Sequence, residues 1–211
     1  MTRVAALADI HLGHPDAPGL DWALSALRDA AAQGADVLVL AGDLIDRNHA
    51  DEATVTQTEQ LLRQAASTGL PVMLTWGNHD ISARLPERLP TVAGVTVAPR
   101  TSVLTLTTGT RETPGTTPRV LTVHMTSVDA DPDPRRPVSG FPVADGPGPH
   151  LGILHTSLTG EYSRKPCLPT TVAELESRGY GRWILGHVHH RPPVTETIGW
   201  VGMGNLLVVD L

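Results

Sequence analysis

Five short clusters hold the residue types that do metal chemistry: Asp9-Ile10-His11, Gly42-Asp43, Gly77-Asn78-His79-Asp80, His155 and Gly186-His187-Val188-His189. They offer carboxylate, amide and imidazole donors without sulfur. That set suits manganese, iron or zinc at high coordination number better than a closed structural zinc. Residues two apart on an extended chain share a face, so Asp9 with His11, and His187 with His189, would each aim two donors into one pocket. Two cations also need a shared carboxylate, and Asp43, alone after an apolar run and a glycine, is the expected bridge. A cation pair roughly 3.5–4 Å apart can polarise a phosphoryl group, activate a water and stabilise the leaving oxygen. The chemistry implied is phosphate ester hydrolysis. His79, next to Asn78, is placed to protonate the leaving group or steady developing charge, with Asp80 expected to orient it. Burying so many polar groups is costly unless they are paired or metal-bound, which argues for ligands over core residues.

The elements that would position these clusters alternate strand and helix. Val4 to Ala8 is a short apolar run ending at Asp9, and Leu20, Leu24, Leu27 and Ala31 then recur at helical spacing before Gly34. Val37 to Ala41 repeats the buried-strand pattern up to Gly42-Asp43. Leu61, Leu62 and Ala65 mark a second helix closed by Gly69, and Pro71 to Trp76 is a third strand. Three strands thus deliver polar residues at their carboxyl ends, where open α/β sheets bind ligands. Val95 to Val97, Val103 to Thr107 and Val120 to His124 read as short strands of a second sheet. Leu151 to Leu154 is a strand ending at His155. Thr171 with Glu174 forms a capping box opening a helix that stops near Gly179, and Arg182 to Leu185 runs into Gly186. Trp200 to Leu211 reads as one or two closing strands. The stretches Thr108 to Pro118 and Asp131 to Pro149 are rich in turn formers and read as loops.

Composition narrows the class further. The 211 residues suit one domain, 1–211, with an aliphatic core of the kind found in α/β proteins. A single cysteine, Cys167, excludes an intrachain disulfide and a thiolate metal cage, so a cytoplasmic location is expected. Met1 to Ala8 is too brief for a signal peptide, and no other stretch reads as a membrane span. The formal net charge of -6 argues against gripping long nucleic acid by general attraction, although carboxylates under divalent cations would not count against a locally positive site.

Asp-x-His, Gly-Asp, Gly-Asn-His-Asp, a lone His and Gly-His-x-His, in this order from Asp9 to His189, resemble the calcineurin-like metallophosphoesterase superfamily. Ala8-Asp9-Ile10-His11-Leu12-Gly13, Gly42-Asp43-Leu44-Ile45-Asp46-Arg47 and Leu154-His155-Thr156-Ser157-Leu158 look most like its SbcD-type DNA repair exonucleases. The resemblance implies a four-layer αββα sandwich, two mixed β-sheets flanked by helices. It implies that Asp9, His11 and His189 bind one metal and Asn78, His155 and His187 the other, with Asp43 shared and His79 the catalytic histidine. It further implies manganese as the usual cofactor of the nuclease branch, with iron or zinc as alternatives. SbcD-type nucleases also carry a DNA-contacting cap and a helical segment that docks on a coiled-coil ATPase. Neither is evident in these residues, so a small phosphodiester is weighed beside DNA as the substrate.

Outside the clusters, Arg47 is a candidate phosphate contact with Asp46 standing behind the ligands. His14 is a candidate substrate contact or a solvated loop residue, as is His190. His49, His124 and His150 read as structural or surface groups. Arg135-Arg136 and Arg164-Lys165 would steer an anion or simply be solvated, and Cys167 reads as a buried neutral thiol. Three functions follow: a manganese-dependent phosphodiesterase or exonuclease on DNA, a phosphodiesterase or phosphatase for small nucleotides, and an inactive metal-binding scaffold. An ATPase partner chain accompanies the first.

Overall fold

The structure, a computed structural model, describes residues 1–109, 120–146, 148–163 and 165–211. In chain order the elements are β1 (Arg3–Leu7), α1 (Gly19–Ala32), β2 (Val37–Ala41), α2 (Glu52–Ser67), β3 (Val72–Thr75), α3 (Asn78–Ser82), α4 (Leu85–Arg88) and β4 (Val95–Val97). There follow β5 (Leu104–Gly109), β6 (Val120–Met125), β7 (His150–His155), α5 (Val172–Glu176), β8 (Arg182–Gly186), β9 (Ile198–Trp200) and β10 (Leu207–Asp210).

These strands form two mixed sheets. The first has the order β10-β1-β2-β3-β4, parallel throughout except where β10 runs antiparallel to β1. The second has the order β5-β6-β7-β8-β9, with only β5 antiparallel to its neighbour. The central strands are apolar on both faces, which is why they read as continuous runs and not as alternations. Leu38, Leu40 and Leu74 face outward beneath α1 and α2, meeting Leu27, Leu61 and Leu62. Val4, Val37, Val39 and Met73 face inward, where they pack on Val123, Ile153 and Ile184 of the second sheet. The far face of that sheet is covered by Leu175 of α5 and by Phe141 and Tyr180, over Trp183 and Trp200. The layers are therefore helix, sheet, sheet, and a thin outer layer of α5 with irregular chain.

The starts of α2 and α5 are set by side chains, as expected at exposed amide ends. Asp51 accepts from Thr54 N at 2.8 Å to open α2. Thr171 and Glu174 form the reciprocal capping box that opens α5.

One strand lies in a different sheet from the one expected. Val95 to Val97 is the parallel edge of the first sheet, with Val72 opposite Val95. The chain leaves β3, crosses through α3 and α4 and returns parallel, and Val95 then packs against the cluster beneath α2. The loop expected over Thr108 to Pro118 is strand as far as Gly109, and its residues 110–118 lie outside the described residues. Among the described residues no helix is long and apolar enough to cross a membrane.

Candidate metal centre

The five clusters meet at one end of the two sheets, each just past a strand. Asp9 and His11 follow β1, Asp43 follows β2, Asn78 opens α3 after β3, His155 ends β7, and His187 follows β8. Their convergence does not arise from extended alternation. Asp9, His11, Asp43 and His187 all have positive φ, at 53°, 47°, 53° and 99°, so each turns sharply out of its strand. The turns are tied together by backbone bonds, Asp9 N to Gly42 O and His11 N to Asp43 O, both 3.0 Å.

The glycines before the ligands allow close approach of neighbouring strands. A Cβ on Gly42 would stand 2.5 Å from His155 Nδ1, and one on Gly77 would stand 2.7 Å from His155 Cε1. Either contact is far inside van der Waals distance, so the Gly-Asp and Gly-Asn pairs are packing requirements of the site.

Distances between the donors are short. His11 Nε2 lies 3.0 Å from His189 Nε2 and 3.7 Å from Asp43 Oδ2. His155 Nε2 lies 3.3 Å from both Asp43 Oδ2 and Asn78 Oδ1, and His187 Nδ1 lies 2.9 Å from the same Asn78 oxygen. His155 Nδ1 donates to Ala41 O at 2.8 Å, which aims its Nε2 into the site. Asp9, His11 and His189 bring one donor atom each within 4.8 Å of one another, and so do Asp9, Asp43 and His155.

Burial sets the charge state. It pushes Asp9 up to about 7, although His155 opposes the rise. It brings His11 down to about 4 and His187 down to about 3, and it lowers His189 as well. Burial also disfavours both Asp43 and His155 in charged form, but their mutual attraction wins. His155 is raised to about 9 and Asp43 is held well below the usual carboxylate range. A proton on His155 Nε2 therefore balances the Asp43 charge where a cation would otherwise stand, and the other imidazoles keep free lone pairs.

The residues fit a cation pair. Asp9 Oδ2 and His11 Nδ1 are fully buried with no hydrogen-bond partner, a costly state that a ligated ion relieves at Asp9. Two imidazole Nε2 atoms facing each other at 3.0 Å want a shared positive centre in the same way. The His/Asp clusters together point to a divalent metal site.

Around the donors, His79 is half-buried, edge-on to the His11 ring with centroids 4.5 Å apart. Asp80 does not orient it, which corrects the sequence expectation. Consecutive residues in a helix point about 100° apart. Asp80 turns back to accept from Gly77 N, Leu44 N and Ile45 N at 2.9, 2.8 and 3.2 Å. The carboxylate beside His79 is Asp46, whose Oδ2 lies 3.2 Å from His79 Nδ1. Arg47 lines the cavity over the site and pairs with Asp131. His14 stands instead against His49, with ring centroids 5.9 Å apart, and its Nδ1 accepts from Asp16 N.

The cavity is about 390 Å³, and Tyr162, Ser163, Lys165 and His190 line it with Arg47 and His79. Tyr162 and Ser163 are lining residues that no spacing signalled. Arg164, paired with Lys165 in the sequence reading, lies outside the described residues. Arg135 and Arg136 are committed to Asp133 and Glu174. Cys167 is a buried neutral thiol as expected, burial pushing its pKa up, yet its sulfur stands among the His155 and His187 ring nitrogens and donates to His155 O at 3.4 Å. His124 and His150 are buried in the second sheet, stacked on each other and on Tyr180.

Two mixed sheets between helical layers, with Asp, Asn and His side chains converging past the strand ends, define a metallophosphoesterase. The calcineurin-like phosphoesterase family model matches residues 2–191, and the chain belongs to that family. A dimetal phosphatase from Danio rerio is similar in structure at 11% identity and TM-score 0.58, covering 98% of this chain and 91% of that one. The protein TT1561 of Thermus thermophilus is similar at 11% identity and TM-score 0.52, covering 99% and 98%. The purple acid phosphatase PPD1 of yellow lupin is similar at 14% identity and TM-score 0.55, covering 92% of this chain and 39% of that one. At these identities the likeness is one of fold. No curated protein matches the sequence.

Proposed function

We propose that the protein is a manganese-dependent phosphodiesterase of the nuclease type, acting on DNA in the cytoplasm, with an ATPase chain as partner. The observation that carries the hydrolase reading is the buried Asp9 Oδ2, without a hydrogen-bond partner among the described residues and beside His11, Asp43 and His155. Asp9, His11 and His189 would hold one ion, Asn78, His155 and His187 the other, and Asp43 both. The proposed ligands are oxygen and imidazole groups, and burial keeps the nearby Cys167 a neutral thiol, which supports manganese. Two bound divalent ions supply Lewis acidity toward the phosphoryl oxygens and a water acidic enough to attack at neutral pH.

The protein's own groups do the rest. His79 Nδ1 accepts from Arg47 N at 3.3 Å beside Asp46 Oδ2, which places the proton on the other ring nitrogen, where it can pass to the leaving oxygen. Asn78 is buried at the base of α3, where its amide oxygen sits between His155 and His187. Arg47, half-exposed on the cavity wall, offers a guanidinium to the phosphate oxygens. The motif likeness to SbcD-type nucleases supports DNA. The net charge of -6 favours the second reading, a small nucleotide as substrate.

The test is a panel of linear DNA, a 2′,3′-cyclic nucleotide and a phosphomonoester, run with manganese, with chelator and with Asp43→Asn. Degradation of DNA that needs manganese and Asp43 is expected. Hydrolysis of the cyclic nucleotide alone would favour the second reading. A metal-loaded protein inert on the whole panel would leave a binding scaffold.

A further inference from the structure

We propose that Tyr162, backed by His190 and Trp200, forms a stacking subsite for a nucleoside base at the rim of the metal centre. The subsite rests on the phosphodiesterase reading and names the feature of the substrate that this chain would recognise.

Tyr162 is 46% exposed, while Trp76, Phe141, Tyr180, Trp183 and Trp200 are all buried and Trp22 is half-buried. An exposed ring on the wall of a polar cavity contributes little to the core, so its position needs another reason. The ring is not loose. His190 and Trp200 stand perpendicular to it at centroid distances of 5.3 and 5.5 Å, an edge-to-face arrangement that fixes its plane. The next residue is tied to the metal centre, since Ser163 Oγ lies 2.8 Å from His187 Nε2. The aromatic ring is therefore held one residue from a direct contact with a candidate ligand, facing the same cavity as His79 and His187.

The surroundings suit a nucleotide. Lys165 lines the same wall, 58% exposed, and Arg47 lines it too; Asp131 lies between them, paired with Arg47 and 3.9 Å from Lys165 Nζ. The cavity thus presents an aromatic face and two cations that share the Asp131 carboxylate, leaving one net positive charge for the phosphate beside the base. The cavity of about 390 Å³ lies within the usual range for small-molecule sites. Because every base has a π-face, stacking on Tyr162 would be tolerant of sequence.

The experiment compares two phosphodiesters with one leaving group: thymidine 5′-(p-nitrophenyl phosphate) and methyl p-nitrophenyl phosphate. Tyr162→Ala is expected to lower the ratio of their kcat/KM values by roughly tenfold to a hundredfold, the size of a base–aromatic stack, through KM for the thymidine ester. Tyr162→Phe and Tyr162→Trp should restore the ratio. Calorimetric binding of thymidine 5′-monophosphate to the metal-loaded protein supplies a readout independent of turnover, and it should weaken at least tenfold in Tyr162→Ala. Hydrolysis of both esters with a ratio within threefold of wild type would overturn the subsite and leave the hydrolase reading standing. Hydrolysis of neither ester, with nucleotide binding still dependent on Tyr162, would remove the hydrolase reading and keep the subsite.

Discussion

Replacing Gly77 by alanine perturbs the metal centre without touching a donor. Gly77 caps α3 with φ −96° and ψ 179°, a conformation any residue adopts, so no backbone strain enters. The added Cβ, however, would stand 2.5 Å from Asp43 N and 2.7 Å from His155 Cε1, with Asp43 Oδ1 nearer still. Against Asp43 N it falls 0.9 Å short of the 3.4 Å at which ordinary contact begins. Neither neighbour gives way easily. The Asp43 carbonyl accepts from His11 N, and His155 Nδ1 is committed to Ala41 O. Relief must displace the Asp43 carboxylate or the His155 ring by nearly that amount. Overpacking of this kind costs about 1–3 kcal/mol, or about 2–12 °C in Tm for a chain of this size. A misplacement near 1 Å costs about a hundredfold in rate. Metal content, bis-(p-nitrophenyl) phosphate hydrolysis and thermal denaturation would be measured beside Gly109→Ala, whose Cβ meets nothing within 4 Å among the described residues. The reasoning fails if Gly77→Ala binds metal fully and turns over within threefold of wild type.

Three further outcomes follow from the same geometry. His79→Gln should keep its metal and lose roughly 10²–10⁴-fold in kcat, read by metal analysis beside steady-state kinetics, and Asp46→Asn should lower kcat by about 10–100-fold by releasing the His79 ring. Asp80→Asn should instead destabilise the fold by about 1–3 kcal/mol in denaturant titration, because an amide cannot accept from all three backbone N–H groups that Asp80 satisfies. His124 is pushed down to about 4 by burial, with His150 adding to the effect. The unfolded chain therefore takes up a proton near pH 6.5 that the folded chain refuses, so stability is full above pH 6.5 and declines as pH falls toward 4. The decline should be about 1–2 kcal/mol after allowance for solvent screening, and chemical denaturation across that window should show it flattened in His124→Gln.

Much of the framework is readable from short apolar runs that stop at a polar residue, because a strand buried on both faces must be apolar and a site past its end must be polar. Sheet membership is not carried by that signal. Val95 to Val97 has the same local pattern as the strands of the second sheet, and only the crossover through α3 and α4 places it beside β3. The Asp80 expectation failed for a related reason. Adjacency along the chain suggests partnership, but once Asn78 opens a helix the neighbouring side chains diverge, and His79 finds Asp46 from thirty-three residues upstream. Tyr162 gave no signal because a lone aromatic in a loop has no period.

The candidate donors are legible in the sequence, and the way they converge is not. Asp9, His11, Asp43 and His187 hold positive φ, which for residues other than glycine costs of order 1–3 kcal/mol each. Such strain persists only where surrounding bonds over-determine the backbone. Here His187 N donates to Asp9 Oδ1 at 2.9 Å, His79 N donates to Asp43 Oδ1 at 2.8 Å, and Leu12 N and Asp46 N join Leu44 O and Leu12 O across the first two loops. Each carboxylate therefore spends one oxygen holding the loop of another donor and keeps its second oxygen for the site. The loops are laced to one another rather than merely placed side by side, so the donors are set by the fold and the strain is carried by the two sheets beneath them.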